Sequence, residues 1–196
     1  MSLVDTLFLA AALAAGSTAR WRRGLTVGRE VRFLGRPLIA NASGATITLG
    51  ERAILCSWSR FTALGVSRPV TLRTMRTGAS IEIGPDCGLS GTVICSAVSV
   101  RIGAECLIGA DVTIVDTDFH PLAASQRRYE SEWSRIRSLP VVIGRNVFLG
   151  AGTRVLKGVS IGDNTVVGAG SVVTRDLPAN VVAAGNPCEA LGPLPA

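Results

Sequence analysis

The sequence is poor in residue types that metal sites and aromatic-rich cores require. Its 196 residues include one histidine, His120, and aromatic residues make up only 5%. One histidine excludes a mononuclear metal site that needs several histidines from the same chain. The five cysteines are odd in number and include no C-x-x-C pair, so they do not complete a Cys/His zinc pattern. We therefore expect no metal, and we expect reduced, mostly buried thiols.

The sequence also lacks a long apolar run. The longest uninterrupted stretch, Leu7–Ala15, contains nine residues, whereas a membrane-spanning helix needs about 20. No positive charge precedes this apolar N-terminus, so a secretory signal is not expected. We expect residues 1–24 to form a helical segment packed on the main body or on a partner subunit. The alternative is an interfacial helix that places Trp21 and its neighbouring arginines at lipid head groups.

Charged residues are scarce and unbalanced. They make up 17% of the chain, the net charge is +6, and Lys157 is the only lysine among 20 basic residues. This balance indicates either an ordinary solvated surface or an anionic partner, such as a phosphorylated cofactor or an anionic lipid surface. Nucleic acid is not expected, because the sequence has no recognised binding motif and no basic stripe with interleaved aromatics.

Glycine is abundant, with 22 residues, and many of these glycines follow a repeat of six. From residue 143 onward, aliphatic residues recur at every sixth position, and a second series lies four positions after each. The first series is Ile143, Leu149, Val155, Ile161, Val167 and Val173, and the second is Val147, Thr153, Val159, Thr165, Ser171 and Leu177. The same register occurs earlier at Ile102-Gly103, Ile83-Gly84, Leu49-Gly50 and Val27-Gly28.

A period of six fits neither a helix nor a long strand. It predicts a short strand followed by a tight turn, with the aliphatic residue inside. Glycine at the corner permits a positive φ or a close approach of the next backbone. Such a coil is a parallel β-helix. The repeat is interrupted at 61–80 and again at 116–142. Because the second interruption holds the only histidine, we expect it to be a functional loop.

The repeat resembles that of the hexapeptide-repeat acyltransferases over about residues 27–191. The most specific block, from Asn146 to Cys188, is similar to the acetyl-CoA-binding end of galactoside, maltose and nodulation-factor O-acetyltransferases. Val112–Leu122 and Gly88–Gly91 resemble the same branch, especially members that modify bacterial polysaccharides. The resemblance implies an all-β, single-stranded, left-handed parallel β-helix. It also implies acetyl-CoA as the acyl donor and a homotrimer with active sites between subunits.

His120 is the predicted general base. Acyl transfer to a hydroxyl needs a base, and histidine titrates near neutral pH. Pro121 favours an extended backbone at His120, which helps to present the ring. Either Asp118 or Asp116 could orient the imidazole, although each could instead cap a local turn. Ser90 stands where the sugar acetyltransferases carry an asparagine that contacts the acceptor, so we predict that it binds substrate.

Four residues are predicted to hold the cofactor. The resemblance places the backbone amides of Ala151 and Ala169 along the pantetheine arm, where an amide aimed at the thioester oxygen would stabilise the tetrahedral intermediate. Thr174 and Arg175 match a Thr-Lys pair near the adenosine end, and arginine also pairs with phosphate.

Two further positions qualify this cofactor site. Phe148 matches a position that is often aromatic at the groove wall, but it could equally be buried for structural reasons. Glu189 and Gly192 stand where relatives commonly carry basic residues. The phosphate contacts are therefore expected to be weaker or to come from another arginine.

The sequence as a whole predicts an acetyl-CoA-dependent O-acetyltransferase that acts on a sugar hydroxyl in bacterial polysaccharide or glycan biosynthesis. The alternatives are N-acetylation of an amino sugar and a non-catalytic β-helix scaffold. The γ-type carbonic anhydrases, which share the coil, need three histidines at zinc and are excluded. We expect a helical segment at 1–24, a catalytic domain at 25–191 with its loop at 116–142, and a tail at 192–196. We expect a cytoplasmic protein, with any peripheral contact at the inner membrane face.

Overall fold

The computed structural model describes residues 23–125 and 127–195. The predicted N-terminal helix falls at 1–24 and therefore lies almost entirely outside them. Within the described ranges the chain forms 20 short strands and no α-helix, with two 3₁₀ turns at Ser59–Phe61 and Trp133–Arg135. None of the described helices is long and apolar enough to cross a membrane.

Six coils of three strands each stack along one axis, and corresponding strands form three sheets. Sheet A contains β1 (Leu25–Val27), β4 (Thr46–Leu49), β7 (Ser80–Ile83), β10 (Ser99–Ile102), β13 (Val141–Ile143) and β16 (Ser160–Ile161). Sheet B contains β2 (Arg32–Leu34), β5 (Ile54–Cys56), β8 (Gly88–Ser90), β11 (Leu107–Ile108), β14 (Phe148–Leu149) and β17 (Val166–Val167). Sheet C contains β3 (Leu38–Ala40), β6 (Thr71–Thr74), β9 (Val93–Ser96), β12 (Thr113–Val115), β15 (Arg154–Val155) and β18 (Val172–Val173).

The last coil ends in a hairpin on sheet B. Strand β19 (Val181–Gly185) pairs in parallel with β17, and β20 (Cys188–Pro193) runs antiparallel to β19. The pairs within the six coils are parallel, which confirms the parallel β-helix predicted from the repeat. We name the corners between successive sheets the A–B, B–C and C–A edges.

The core is a set of aliphatic columns inside this prism. In sheet C the column joins Ile39, Leu72, Ile94, Ile114, Val155 and Val173, all buried. Burying one such side chain contributes about 1.5–3 kcal/mol, so the stack of columns supplies the main stabilisation. The smaller series predicted to share the interior, including Val147, Thr153 and Thr165, is buried as well.

Glycine is required at the A–B corners because the backbone of the next coil approaches closely, and not because the corner residue has a positive φ. A Cβ on Gly103 would lie 2.6 Å from both the carbonyl carbon and the carbonyl oxygen of Gly144 in the next coil. The left-handed conformation falls two residues later, at Glu105 (φ 63) and Asn146 (φ 53). The repeat therefore uses glycine to let neighbouring coils come within hydrogen-bonding distance.

Two insertions leave the prism, and they lie at different edges. Residues 57–70 connect β5 to β6 across the B–C edge, and residues 116–140 connect β12 to β13 across the C–A edge. The first interruption is earlier and shorter than the 61–80 that the pattern predicted, because Leu72 on β6 already occupies an inward position. The second agrees with the predicted loop.

Candidate active site

The histidine loop is closed at its base by its own two ends. Thr117 and Ser138 form an antiparallel bridge. The N–H of Asp118 donates to the carbonyl of Arg137 at 3.0 Å, and the N–H of Leu139 donates to the carbonyl of Asp116 at 2.8 Å. A loop with such a stem presents its tip in a defined place relative to the coil.

His120 is exposed at the start of that tip. The residue before it, Phe119, has a φ of 61°, a conformation that bulky residues rarely adopt. Its N–H donates to Thr117 Oγ1 at 3.2 Å. Pro121 is buried, and the Arg127 guanidinium donates to its carbonyl at 3.1 Å. Within the described part of the chain, no hydrogen bond or ion pair joins His120 to another residue, so its ring is free to meet a substrate.

The two aspartates of this loop do different things. Asp116 is fully buried and accepts hydrogen bonds from Ser96 Oγ (2.8 Å) and from the backbone N–H groups of Ala97 (2.6 Å) and Val98 (2.7 Å). Its carboxylate therefore closes the corner after β9 and is engaged there by three donors.

Asp118 faces Lys157 of the following coil. Asp118 Oδ1 lies 2.6 Å from Lys157 Nζ, and the two side chains are 20% and 19% exposed. Asp118 Oδ2 is buried and, among the described residues, has no hydrogen-bond partner. Sequence reasoning missed Lys157, although it is the only lysine of the chain. The pair ties the histidine loop to the coil and engages one oxygen of the Asp118 carboxylate.

The predicted pantetheine amides lie in one row on the B–C edge. Gly152 N–H donates to the carbonyl of Ala110, and Gly170 N–H donates to that of Ala151, both at 2.8 Å. These bonds stack three corners, whose middle residues are Ala110, Ala151 and Ala169. Over the described ranges, nothing accepts a hydrogen bond from the N–H groups of Ala151 or Ala169. The edge therefore offers a row of unpaired donors about one coil spacing apart, roughly 4.8 Å.

The other predicted contacts divide between two edges. Ser90 ends β8 at the B–C edge, where its carbonyl accepts from Asp111 N–H at 3.0 Å. Thr174 and Arg175 are exposed and follow β18 at the C–A edge. Arg175 lies 3.6 Å from Glu189, an exposed pair. Glu189 therefore partly offsets the positive charge of Arg175, the arginine predicted to meet phosphate.

One chain does not bring all of these residues together. His120, Lys157 and Arg175 lie on the C–A edge, whereas Ala151 and Ala169 lie on the B–C edge, with sheet C between them. Phe148 points outward from sheet B and is 43% exposed, so it is not a core residue. Among the described residues, no group of three or more His, Cys, Asp or Glu could hold a metal ion.

The repeat itself matches known families. Residues 140–175 match the family described as bacterial transferase hexapeptide (six repeats), and residues 99–115 match the hexapeptide repeat of succinyl-transferase. This chain carries the bacterial transferase hexapeptide repeat. The resemblance to hexapeptide-repeat transferases is thereby confirmed.

Curated relatives of this hexapeptide-repeat chain include galactoside O-acetyltransferases. That of Escherichia coli is 40% identical over 115 residues, which are 58% of this chain and 54% of the relative. That of Lactococcus lactis is 47% identical over 89 residues, which are 45% of this chain and 41% of the relative. The chain thus spans about half the length of the curated relatives it matches.

Solved structures share the fold at low sequence identity. The N-acyltransferase AntD from Bacillus cereus, in complex with dTDP and 3-hydroxybutyryl-CoA, has a TM-score of 0.67 at 17% identity, covering 88% of this chain and 85% of that one. A hexapeptide-repeat acetyltransferase from Vibrio cholerae, complexed with acetyl-CoA, has a TM-score of 0.54 at 20% identity, covering 100% and 91%. The coil is left-handed, as the resemblance implied.

Proposed function

We propose that this chain is an acetyl-CoA-dependent O-acetyltransferase that transfers an acetyl group to a sugar hydroxyl, with residues 25–191 as its catalytic domain. The observation that carries the proposal is an exposed histidine on a stem-closed loop of a hexapeptide coil. The proposal is also supported by the similarity of the chain to two galactoside O-acetyltransferases. A role in polysaccharide or glycan biosynthesis in the cytoplasm follows from the same resemblance.

The proposed reaction begins with proton removal by His120. An imidazole nitrogen takes the proton of the sugar hydroxyl as the hydroxyl oxygen forms a bond to the thioester carbon. The N–H of Ala151 donates to the carbonyl oxygen as it gains negative charge. The C–S bond then breaks, and the imidazolium returns the proton to the departing sulfur. The products are an acetyl ester and the free thiol of coenzyme A, with His120 neutral again.

In this mechanism Asp118 is a positioning residue. Its buried, unpartnered Oδ2 is available to accept a hydrogen bond from the imidazole and so to select the tautomer that acts as base. Lys157 holds the other oxygen and fixes the carboxylate in place. Thr174 and Arg175 are proposed contacts of the adenosine end, and Ser90 of the acceptor.

We also propose that the enzyme is a homotrimer. Completing the site requires His120 from one edge and the amide row from another, which two neighbouring chains could supply. A further support is an exposed apolar pair on the outer face of sheet B: Leu107 and Phe148 are register neighbours and are 59% and 43% exposed. Burying this pair against a neighbouring chain would remove its apolar surface from water, which favours association.

The proposal is tested by calorimetric titration with acetyl-CoA, followed by a thiol-release assay over a panel of sugars. We expect binding of acetyl-CoA to the wild type and to His120→Ala alike, and turnover by the wild type alone. Absence of acetyl-CoA binding would favour the scaffold alternative. Equal turnover by His120→Ala would remove the proposed base.

A further inference from the structure

The chain directly after His120 is gathered by one guanidinium. Arg127 Nε donates to the carbonyls of Pro121 and Ala123, at 3.1 and 3.3 Å. Nη2 of the same side chain donates to the carbonyl of Leu122. Three consecutive carbonyls, beginning one residue after the proposed base, therefore share a single partner. Arginine suits this task because its planar guanidinium presents several N–H donors in a fixed arrangement.

This part of the loop has little support from its own backbone. The stem ends at the bond from Asp118 N–H to the carbonyl of Arg137. Beyond it, the described residues of 119–125 and 127–131 form no backbone–backbone hydrogen bond with one another or with the coil. Backbone groups outside regular structure need side chains or water as partners. Arg127 therefore supplies most of the hydrogen bonds that the described structure gives to backbone groups of 119–125.

Two cations hold the chain on either side of His120. Lys157 Nζ lies 2.6 Å from Asp118 Oδ1, two residues before the histidine. Arg127 holds the carbonyls that begin one residue after it, and the first of these belongs to the buried Pro121. A backbone held at both ends restricts where the imidazole can lie. Placement matters because a general base acts only within hydrogen-bond reach of the proton that it removes.

The next residue provides a comparison on the same loop. Arg128 is exposed like Arg127, but it makes no hydrogen bond or ion pair with another described residue. The two arginines bring the same charge to the same segment, and of the two only Arg127 is bonded to the backbone beside His120. Any effect of positive charge alone, such as attraction of the cofactor phosphates, should be common to both. An effect on the placement of the histidine should be confined to Arg127.

We propose that Arg127 is a positioning residue for His120: its guanidinium fixes the turn at 121–123, and the turn holds the imidazole where the acceptor hydroxyl arrives. The inference rests on the proposed acetyl transfer, because the role is defined relative to the proposed base. In this role Arg127 contacts neither the acceptor nor the thioester. Its removal should therefore slow the chemical step and leave the binding of both substrates unchanged.

The test compares Arg127→Met with Arg128→Met and adds Arg127→Lys as the conservative variant. Each methionine variant removes one positive charge from the same exposed loop and keeps an unbranched side chain, so both are expected to fold. Thiol release gives kcat and the KM values for acetyl-CoA and for the best acceptor of the sugar panel. Because the chain has one histidine, the imidazole signals in an NMR spectrum report its surroundings directly, and they decide the test even where no sugar is turned over.

We expect Arg127→Met to lower kcat by at least about tenfold, because a misplacement of about 1 Å can lower a rate about 100-fold. Both KM values should stay at the wild-type level. Arg127→Lys should recover part of the loss, since its ammonium still donates hydrogen bonds. The imidazole signals should move in Arg127→Met, and Arg128→Met should match the wild type in both kcat and signals.

Equal kcat in the two methionine variants would overturn the positioning role, as would imidazole signals that are the same in both. A raised KM for acetyl-CoA or for the sugar at unchanged kcat would make Arg127 a substrate contact and likewise overturn it. These results would leave the acetyltransferase standing, because His120→Ala tests it separately. Wild-type turnover by His120→Ala would instead remove the base, and with it the residue that Arg127 is proposed to position.

Discussion

At the A–B edge each coil turns through the same short corner, whereas at the C–A edge the corner after β12 is replaced by residues 116–140. The A–B corners repeat their contacts from coil to coil: Arg145 pairs with Glu105 at 2.9 Å, and Asn146, Asn164 and Asn180 join side chain to side chain at 3.0 and 2.8 Å. Among the described residues, the side-chain contacts of the C–A edge do not recur from coil to coil. Lys157 pairs with Asp118 in one coil only.

The difference between these edges indicates that the A–B edge serves mainly to stabilise the coil, whereas the interrupted edges hold the groups proposed to take part in the reaction. At the A–B edge, side chains of neighbouring corners pair with one another, as Arg145 does with Glu105 and Asn146 with Asn164. The edges interrupted by insertions leave an exposed imidazole on one side and unpaired N–H groups on the other. Substitutions at the A–B edge should therefore act on folding, and substitutions at the other two edges should act on turnover.

The largest expected effect is on turnover, at the C–A edge. His120→Ala should lower kcat by about 10²–10⁴-fold, because a positioned general base typically contributes that much. The melting temperature should not change, since the side chain is exposed and makes no bond with another described residue. Asn164→Ala on the A–B edge is the matched control, and thiol-release kinetics with thermal denaturation would measure both. Comparable loss of kcat in the two variants would break the distinction between the edges.

The next largest effect should be on folding, at the A–B edge. Gly103→Ala forces a Cβ to within 2.6 Å of the Gly144 backbone, and such overpacking costs about 1–3 kcal/mol. Gly192→Ala, where a Cβ would meet nothing within 4 Å, is the control. Urea denaturation should show a lower midpoint for Gly103→Ala alone. Equal midpoints for the two variants would mean that neighbouring coils can move apart to accommodate a Cβ at residue 103 without loss of stability, which would contradict this prediction.

A smaller effect on turnover is expected at Lys157. Lys157→Met removes the partner of a mostly buried carboxylate and should lower kcat by about tenfold while the KM for acetyl-CoA is unchanged. Lys157→Arg should recover part of the loss. Because the chain has one histidine, the single imidazole signal in an NMR spectrum reports directly whether its tautomer changes. A variant with wild-type kcat would show that the pair does not position His120.

The smallest effect should come from the surface ion pairs of the A–B edge. The Arg52 guanidinium holds the pKa of Asp86 below its ordinary value. A carboxyl group whose pKa is lower in the folded state stabilises the fold at pH values above its ordinary pKa. This stabilisation is lost as the pH falls through the lowered pKa. Arg52→Ala should therefore be slightly less stable than the wild type at neutral pH, with the difference vanishing in acid. Urea midpoints at neutral and acidic pH would measure this, and a difference that grows in acid would contradict it.

Periodicity explains which parts of the molecule could be predicted from sequence. The inward residues, the corner glycines and the exit of the chain at residue 116 all follow from a six-residue register, because each coil can pair only with the next. The insertions have no such register. The sequence therefore could not assign Asp116 to the corner after β9, pair Asp118 with Lys157, or place Ser67 on Asp111, since each contact joins segments that only the folded coil brings together.

The reason why glycine is required at a given position could not be predicted from the sequence either. The pattern allowed either a positive φ or a close approach, and only the structure distinguishes Gly103, which is approached closely, from Gly91, which has both constraints. The bounds predicted for the first insertion were also wrong: the pattern gave 61–80 and the structure gives 57–70, because β6 begins at Thr71 without a glycine before it.

The central claim is that the base and the amide row lie on different edges, so that an active site is completed by two chains. Mixing two inactive variants tests it directly: His120→Ala, which lacks the base, and Ala151→Pro, which lacks the N–H. After joint unfolding and refolding in equal amounts, random assortment should restore about a quarter of wild-type turnover, because half of the chains supply each component. Turnover no higher than that of the separate variants would show that each chain carries a complete site and would contradict the account.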